Sequence, residues 1–316
     1  MIIYPENMQT IGVTGGTGLV GKRIVKLLAD KGYKVIVFTR GQQRNTGQKG
    51  VEFAEWNAAE NKIDIAALSR LDGIIHLAGE SVAARRWTEQ QKALIVSSRV
   101  EGTRFLVAQL RAHAPSCKVF VGASAIGYYG QDVQGGAPFT EENKHDKGFL
   151  GDTCARWEHE EHAAAQMMRT VILRIGIVLA ADGGAFKELI KPTVFGVLPI
   201  PGNGRQVMSW IHADDLAALF VHALEQAGMN GTFNAVAPVP ANYNEIAAAV
   251  AATKKGLLFS FHVPAFVIKL VLGGMSIEVL KSCTASAEKT VASGFRHKYT
   301  VLADAIKDRC TNSQIS

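Results

Sequence analysis

The chain has 316 residues, of which 47% are hydrophobic and 20% are charged, and its formal net charge is +6. This composition is typical of a globular protein and excludes a disordered, fibrous or low-complexity chain. The basic residues are scattered and form no polybasic arm. We therefore expect a small anionic ligand, and not a nucleic acid, to be the partner that uses the positive charge.

Cysteine spacing and apolar segments bear on the cellular compartment. The four cysteines lie far apart without a C-x-x-C or metal-ligand pattern, which indicates reduced thiols and no metal site. The first ten residues do not resemble a signal peptide. Residues 264–275 are apolar but too few to cross a bilayer, and we interpret them as a packed helix. We expect a cytoplasmic protein without a membrane partner, and the sequence leaves its oligomeric state open.

Strand-like runs alternate with helical patterns over the first 175 residues. This order indicates parallel strands joined by helical crossovers. Strands that are apolar at consecutive positions indicate a sheet that helices cover on both faces. Strands are predicted at 10–14, 34–39, 51–53, 73–78, 118–123 and 171–175, and helices at 19–30, 89–113 and about 153–168.

The pattern loosens beyond residue 180, where prolines and glycines predict a long loop that we expect to be functional. Helices at 213–226 and 244–252, a strand at 232–235 and a helical tail from 264 follow. The predicted fold is α/β, a Rossmann-type doubly wound parallel sheet with a smaller C-terminal substrate lobe. We expect residues 1–240 to form the dinucleotide-binding domain and 241–316 a small, mainly helical region.

The first strand runs into the first helix through a glycine-rich turn, T-G-G-T-G-L-V-G at residues 14–21. Gly15 permits a sharp turn, Gly18 lets the backbone approach a diphosphate, and Gly21 lets the helix pack closely. The helix begins with Leu19 and Val20 after Thr17, so its amides and dipole face the anion. A glycine string alone is weak evidence, but the strand-turn-helix context predicts dinucleotide binding rather than a structural turn.

The second strand ends at Thr39 and Arg40, where this fold approaches the adenosine ribose. A carboxylate at this position would accept a hydrogen bond from the 2′-hydroxyl of NAD. The guanidinium of Arg40, with Arg44 shortly after, suits a 2′-phosphate instead, so we predict NADP(H) as the cofactor. The alternative is that Arg40 is a solvated charge at a strand end.

The fourth strand ends with His76, Leu77, Ala78, Gly79 and Glu80. The small residues allow a cofactor to approach the carboxyl edge of the sheet closely. We interpret His76 as a packed strand residue rather than a ligand, and Glu80 as a residue that can face the cleft.

Three longer segments resemble signatures of one superfamily. Residues 99–103, R-V-E-G-T, are similar to N-V-x-G-T; residues 124–128, S-A-I-G-Y, are similar to a strand end with a catalytic serine; and residues 209–217 are similar to F-I-H-V-D-D-L-A. With the glycine turn, they resemble the extended short-chain dehydrogenase/reductase superfamily on its nucleotide-sugar epimerase side. The resemblance covers almost the whole chain.

A narrower resemblance is to the atypical epimerase-family proteins with a small C-terminal domain of unknown function. It is carried by the segments 86–89, 98–99, 127–130, 156–158 and 294–295. The resemblance implies an NADP-binding protein. It also implies cofactor contacts at Thr39, Arg40, Leu77, Ala78, Arg99 and Val178. Arg99 replaces the Asn of the general family pattern, which places a positive charge near the phosphates or the substrate.

One departure from the superfamily pattern concerns the chemistry. Hydride-transferring members use Tyr-x-x-x-Lys, in which the tyrosine exchanges a proton with the substrate and the lysine lowers the tyrosine's pKa. None of the six tyrosines of this chain has a lysine four residues later. The alignment implied by the resemblance puts Leu150 and Cys154 at the two positions.

Three hypotheses follow from the sequence. The first is a reductase or epimerase-like enzyme of unidentified substrate, in which Ser124 bonds the substrate and Tyr128 serves as an acid; in the alternative, both only line the pocket. The second is a non-catalytic NADP(H) sensor or regulator. The third is a plain nucleotide-sugar binding module. The serine-bearing strand end places the enzyme slightly ahead, and we interpret Cys154 as a packed thiol rather than a nucleophile.

Overall fold

The computed structural model describes residues 8–41, 48–83, 85–254 and 258–312, with side chains through residue 308. The strands of these ranges are β1 (Thr10–Thr14), β2 (Lys34–Thr39), β3 (Val51–Asn57), β4 (Lys62–Ile63), β5 (Gly73–His76), β6 (Val119–Ala125), β7 (Arg169–Ile175), β8 (Ile177–Leu179), β9 (Val197–Pro201), β10 (Val207–Met208), β11 (Trp210–His212), β12 (Gly231–Ala235), β13 (Ala241–Asn242) and β14 (Phe259–Val263).

The helices lie between these strands and in the C-terminal part. They are α1 (Leu19–Asp30), α2 (Ile65–Leu68), α3 (Glu89–His113), α4 (Phe149–His162), α5 (Gly184–Ile190), α6 (Ala213–Glu225), α7 (Tyr243–Thr253), α8 (Ala265–Leu272), α9 (Ser276–Leu280), α10 (Glu288–Ala292) and α11 (Leu302–Asn312). Of the described residues, none belongs to a helix with the length and apolar character needed to span a membrane.

An eight-stranded sheet forms the centre, in the order β12-β7-β6-β5-β1-β2-β3-β4. All neighbours pair in parallel except β3 and β4. The order runs outward from β1 in both directions, because each helical crossover returns the chain to the next parallel strand. The predicted Rossmann-type α/β fold is confirmed.

Helices cover both faces of this sheet, as the apolar runs of the strands predict. On one face α1 and α6 pack on Val13, Ile75 and Val121. On the other, α2 and α3 pack on Ile74 and Phe120. Both groups of residues are removed from water, and this burial stabilises the sheet at roughly 25 cal/mol per Å² of apolar surface.

Several predicted boundaries differ from the structure. The third strand continues to Asn57 and is followed by the antiparallel strand β4. The pattern of apolar and polar residues in the sequence did not indicate β4. The helix expected at about 153 begins at Phe149, after a turn in which the Asp146 carboxylate accepts from the Gly148 amide. The region predicted as a long loop contains α5 and the strands β9 to β11. Local periodicity missed these short strands because their partners are distant in sequence.

Residues 264–275 were predicted to form a helix packed in the interior, and the prediction of burial is wrong. The helix α8 forms, but Ile268 is its only buried residue. Phe266, Leu270 and Val271 are exposed by 72%, 74% and 60%. Apolar composition alone predicted burial, whereas the tertiary structure leaves most of this helix on the surface.

A second core lies in the lobe beyond the sheet. Trp210, Leu198, Ile246 and Ile306 pack together there, so α7 and α11 share one apolar cluster with strands that precede residue 240. The Asp215 carboxylate at the start of α6 accepts from the Lys298 and Tyr299 amides, which fixes the C-terminal segment to the Rossmann part. The proposed division at residue 240 stays a prediction.

Glu161 is a buried acid within the sheet-covering helix α4. It is fully buried, it packs against Gly122 of β6, and neither carboxylate oxygen has a hydrogen-bond partner among the described residues. Burial, with a smaller contribution from the nearby charge of Glu158, raises the pKa of Glu161 well above its ordinary value. The protonated form is therefore favoured in the folded state.

We predict that Glu161→Met stabilises the protein at neutral pH. The folded state holds the Glu161 proton more tightly than the unfolded state does, so stability is lost as pH rises above the ordinary pKa near 4.5, by up to about 1.4 kcal/mol per pH unit. Met removes this loss. Urea unfolding of wild type and variant from pH 5 to 8 measures it, with Glu160→Met, which removes the adjacent acid paired with Arg104, as the control. Parallel pH profiles for wild type and Glu161→Met would contradict the prediction.

Candidate functional site

Strand ends meet at one edge of the sheet and define the candidate site. In the strand register, Thr14 at the end of β1 lies opposite Phe38 of β2 and His76 of β5. The residues that follow these positions therefore emerge side by side. They are the predicted cofactor residues of the glycine turn, Thr39 and Arg40, and Leu77, Ala78 and Gly79.

The glycine turn is closely packed and requires its glycines. Gly15 has φ +69°, and a Cβ atom there would lie 2.9 Å from the Leu77 carbonyl carbon and 3.0 Å from the Ala78 nitrogen. A Cβ at Gly21 would meet the Gly15 carbonyl oxygen and the Gly16 backbone. Gly21 thus lets α1 pack against the turn itself.

The first turn of α1 presents backbone amides at this edge. Gly18 is the N-cap and has no side chain to accept from them, and the first turn contains no acidic residue. Thr17 and Gly18 are exposed, and Leu19 and Val20 are partly exposed. Free amides and the positive end of a helix dipole bind an anion.

A buried hydrogen-bond chain joins β1 to β5 behind the turn. The Thr14 hydroxyl accepts from the Leu77 and Ala78 amides and bonds His76 Nδ1 at 2.7 Å. Because the hydroxyl proton is left for Nδ1, His76 carries its own proton on Nε2, which lies 3.1 Å from the Thr103 hydroxyl. Burial lowers the pKa of His76 to about 3, so the ring is neutral. The interpretation of His76 as a packed strand residue is confirmed.

Arg40 and Arg99 are the two predicted cationic contacts. Arg40 is exposed at the tip of β2 and forms no ion pair with any residue in the described ranges, whereas Arg44 lies outside them. Arg99 on α3 lies against Gly79: a Cβ there would be 3.3 Å from the guanidinium carbon. Val178 is partly buried in β8, opposite Ile211 of β11.

Ser124 belongs to a buried network at the end of β6. Its hydroxyl donates to Glu158 Oε1 of α4 at 2.6 Å. Arg174 of β7 binds the same carboxylate through Nε and Nη2, both at 2.8 Å. Arg174 also donates to the Tyr129 hydroxyl, which in turn donates to Asn234 Oδ1 of β12, each at 2.8 Å. We call these five residues the Ser124 network.

Tyr128 lies on the exposed side of this network. It is partly buried, and the guanidinium carbon of Arg174 lies 3.4 Å from its ring centroid. The stacked cation is held by Glu158, so Tyr128 contacts a charge that is already paired. The structure thus brings Ser124 and Tyr128 to the same network, although only Ser124 bonds within it through its side chain.

Leu150 and Cys154 occupy the first two turns of α4. Leu150 packs against Gly127. Cys154 is buried, and burial raises the pKa of its thiol to about 12, although Arg99 and the Ser124 hydroxyl act in the opposite direction. A thiol of this kind is a poor nucleophile at neutral pH. Cys117 and Cys283 are likewise buried and unpaired; the side chain of Cys310 lies outside the described residues.

Comparison with known proteins identifies the family. A family model described as the NAD dependent epimerase/dehydratase family matches residues 11–235. The chain belongs to this family. A second model, a domain of unknown function named DUF1731, matches residues 263–308. The expected resemblance to epimerase-family proteins with such a C-terminal domain is confirmed.

Individual relatives extend over nearly the whole chain. Epimerase family protein YfhF of Bacillus subtilis (strain 168) is 34% identical over 309 residues, covering 96% of this chain and 100% of the relative. The crystal structure of human epimerase family protein SDR39U1 (isoform2) with NADPH has a TM-score of 0.83 at 27% identity, covering 96% and 100%. The UDP-glucose 4-epimerase of Thermus thermophilus in complex with NAD shares the fold, with a TM-score of 0.77 at 19% identity and coverage of 96% and 100%.

The sequence reasoning missed the partners of Ser124 in this family member. Arg174 interrupts the apolar run of β7, and a charge in a strand buried on both faces was the available signal for a buried ion pair. Glu158 had no comparable signal, because its helix carries three further acidic residues and the sequence does not show which of them is paired. Only the three-dimensional structure pairs the two.

We predict that breaking the Glu158–Arg174 pair destabilises the protein more than removing it whole. Glu158→Leu leaves a buried guanidinium unpaired and should lower the free energy of unfolding by about 3–5 kcal/mol, and Arg174→Met should act similarly. The double variant Glu158→Leu/Arg174→Met should lose clearly less than the sum of the two. Urea unfolding measures all three, and strictly additive losses would contradict this coupling.

Proposed function

We propose that this family member is a cytoplasmic NADP(H)-dependent oxidoreductase or epimerase-like enzyme that acts on a small-molecule substrate. The observation that carries the proposal is that two groups share one edge of the sheet. The glycine turn follows β1, Ser124 lies near the end of β6, and only β5 lies between these two strands. A phosphate-binding turn beside a serine hydroxyl is the arrangement that a nicotinamide enzyme needs.

The residues at this edge fit a dinucleotide. The Gly15 turn leaves no room for a Cβ atom, and the amides at the start of α1 face outward, as a diphosphate requires. The diphosphate would be held by the turn and the first residues of α1, which are Thr17, Gly18, Leu19, Val20 and Gly21. Leu77, Ala78 and Gly79 at the end of β5 would lie beside it. When bound, the nicotinamide ring supplies the hydride acceptor or donor for the reaction.

NADP(H) is the proposed cofactor because of Arg40. Its exposed guanidinium offers hydrogen-bond donors to a 2′-phosphate and no acceptor to a 2′-hydroxyl. The human SDR39U1 structure, with NADPH, supports this choice, whereas several structures of the same fold at lower identity carry NAD.

Ser124 is proposed to bond the substrate as an acceptor. Its own proton is directed to Glu158, so the lone pairs of Oγ are what it offers to a ligand. A substrate hydroxyl that donates to Oγ can pass its proton there while the Ser124 proton moves to Glu158. Tyr128, in contact with Arg174, is the proposed second polar group of the pocket.

A non-catalytic NADP(H) sensor is the second candidate. It is favoured by the absence of Tyr-x-x-x-Lys from the sequence and by the burial of Ser124, which is 2% exposed. In that case the Ser124 network would transmit the state of the cofactor edge to the C-terminal lobe.

The cofactor proposal predicts a selective effect of Arg40→Asp. NADPH should bind at least about tenfold more weakly, because a carboxylate repels the 2′-phosphate, and NADH binding should change little. Fluorescence titration of both nucleotides measures this. Lys34→Asp, an exposed cation at the opposite end of the same strand, is the control. An equal loss for both nucleotides would exclude the 2′-phosphate role of Arg40.

The enzyme proposal predicts turnover that depends on Ser124. Protein loaded with NADP⁺ should reduce it in the presence of a member of a panel of alcohols, whose hydroxyl donates to the Ser124 oxygen, and Ser124→Ala should slow the reaction by about tenfold or more without a comparable change in NADP⁺ affinity. Absorbance at the NADPH band follows the reaction. No turnover with any compound, together with a partner protein captured in only one cofactor state, would favour the sensor.

A further inference from the structure

The short helix α8 exposes its apolar side chains instead of burying them. Phe266, Leu270 and Val271 are each exposed by 60% or more, and Ile268 is the only buried residue of the helix. A surface helix of a globular protein ordinarily directs its apolar stripe to the core and its polar residues to water. The orientation of α8 is the reverse, so its outward side suits an apolar environment outside the protein.

The exposed side of α8 contains a lysine among its apolar residues. Phe266, Lys269 and Leu270 are spaced i, i+3 and i+4, which brings their side chains to one side of the helix. Lys269 is exposed and forms no ion pair with any residue in the described ranges. A lysine can lay its aliphatic stem along an apolar surface and keep its ammonium group in a polar layer. We call these three residues the α8 face.

The strand that leads into α8 is exposed in a similar way. Only Pro264 separates β14 from α8. Phe259 and Phe261 of β14 are both exposed, and the centroids of their rings lie 6.1 Å apart. Phe195 is also exposed, and it precedes Gly196, whose carbonyl oxygen accepts from the Phe259 amide. Large exposed apolar side chains are therefore concentrated in this part of the C-terminal lobe.

The charges near the α8 face are predominantly positive. The sequence from residue 246 to residue 277 contains three lysines and no Asp or Glu. Arg86, from the segment before α3, is exposed and donates through Nη2 to the Leu270 carbonyl oxygen at 3.2 Å, so it adds a second cation beside the face. Glu278 follows on α9, but Lys281 pairs with it at 2.8 Å. The charge complement of this face is therefore an anionic surface.

These charges favour one occupant over another. In a two-fold contact with a second copy of this chain, two Lys269 and two Arg86 side chains would meet in one interface, and the face supplies no acid to pair them. A lipid bilayer offers anionic phosphates above an apolar layer. The helix α8 has eight residues and is about 12 Å long, so it would lie along the interface of a bilayer whose hydrocarbon core is roughly 30 Å thick.

We propose that the α8 face docks the protein on an anionic lipid bilayer. Phe266 and Leu270 insert between the lipid headgroups, and Lys269 and Arg86 bind the lipid phosphates. The expectation of no membrane partner followed from the shortness of residues 264–275, which bears on crossing a bilayer and not on binding to its surface. The inference goes beyond the proposed function and does not depend on nucleotide binding.

Vesicle flotation of the full chain tests the apolar part of this contact. The vesicles contain phosphatidylcholine with added phosphatidylglycerol. Phe266→Ser/Leu270→Ser should bind them about tenfold or more weakly than wild type, because two inserted side chains are lost. Val133→Ser/Val239→Ser, which replaces two apolar residues exposed elsewhere, is the control and should bind as wild type does. All these side chains are exposed, so urea unfolding should give wild-type midpoints for both variants.

The charged part of the contact is tested with a second pair of variants. Lys269→Glu should weaken binding to the anionic vesicles about tenfold, because a repulsion replaces an attraction to the phosphates. Lys34→Glu makes the same change of charge at an exposed position of β2 and should have a much smaller effect. Wild type should bind vesicles of phosphatidylcholine alone about tenfold or more weakly, and high salt should weaken its binding to the anionic vesicles.

Several results would overturn the proposal. They are no binding of wild type to the anionic vesicles, equal binding to both kinds of vesicle, wild-type binding by Phe266→Ser/Leu270→Ser or by Lys269→Glu, and losses as large in the two controls. Light scattering provides a further test: a wild-type dimer that Phe266→Ser/Leu270→Ser converts to a monomer would assign the face to a second copy instead. None of these results bears on NADPH binding, so the proposed function is tested separately.

Discussion

The buried ion pair between Glu158 and Arg174 connects the parts of the structure that the site needs. It joins α4 to β7, receives the Ser124 hydroxyl from β6, and extends through Tyr129 to Asn234 of β12. Asn234 then donates to the Phe139 and Ser286 carbonyls, which belong to segments outside the sheet. Two buried charges are tolerated here because each is paired in bidentate geometry and further hydrogen-bonded. The orientation of Ser124 follows from this pair.

A second constraint is steric and acts at the glycine turn. Gly15 lies so close to the backbone of Leu77 and Ala78 that the end of β1 and the end of β5 are held together, and the Thr14 hydroxyl adds three hydrogen-bond contacts to the same junction. These contacts fix the shape of the turn and direct the first amides of α1 to the sheet edge. Preorganisation of this kind is what allows a helix terminus to bind an anion without a large ordering cost.

This chain differs from the superfamily pattern in which residues carry the charged side chains near Ser124. Leu150 and Cys154 occupy the positions that the resemblance assigns to the tyrosine and lysine, and Cys154 is a neutral, buried thiol. The cation of this region is Arg99, from α3, and the polar contact of Ser124 is Glu158, one helical turn after Cys154. The charged groups of this region are therefore contributed by α3 and by the middle of α4.

The sequence determined the parallel sheet, its crossover helices and the glycine turn, because each depends on a local pattern: apolar runs, helical periodicity, and glycines between β1 and α1. It also placed Ser124, Arg40 and Arg99 near the carboxyl edge of the sheet, and their roles there stay predictions. It did not determine the Ser124 network, the paired short strands after residue 180, or the exposure of α8. These depend on which distant segments come together, and neither the partner of a buried charge nor the neighbour of an apolar helix can be read from the residues beside it in the chain.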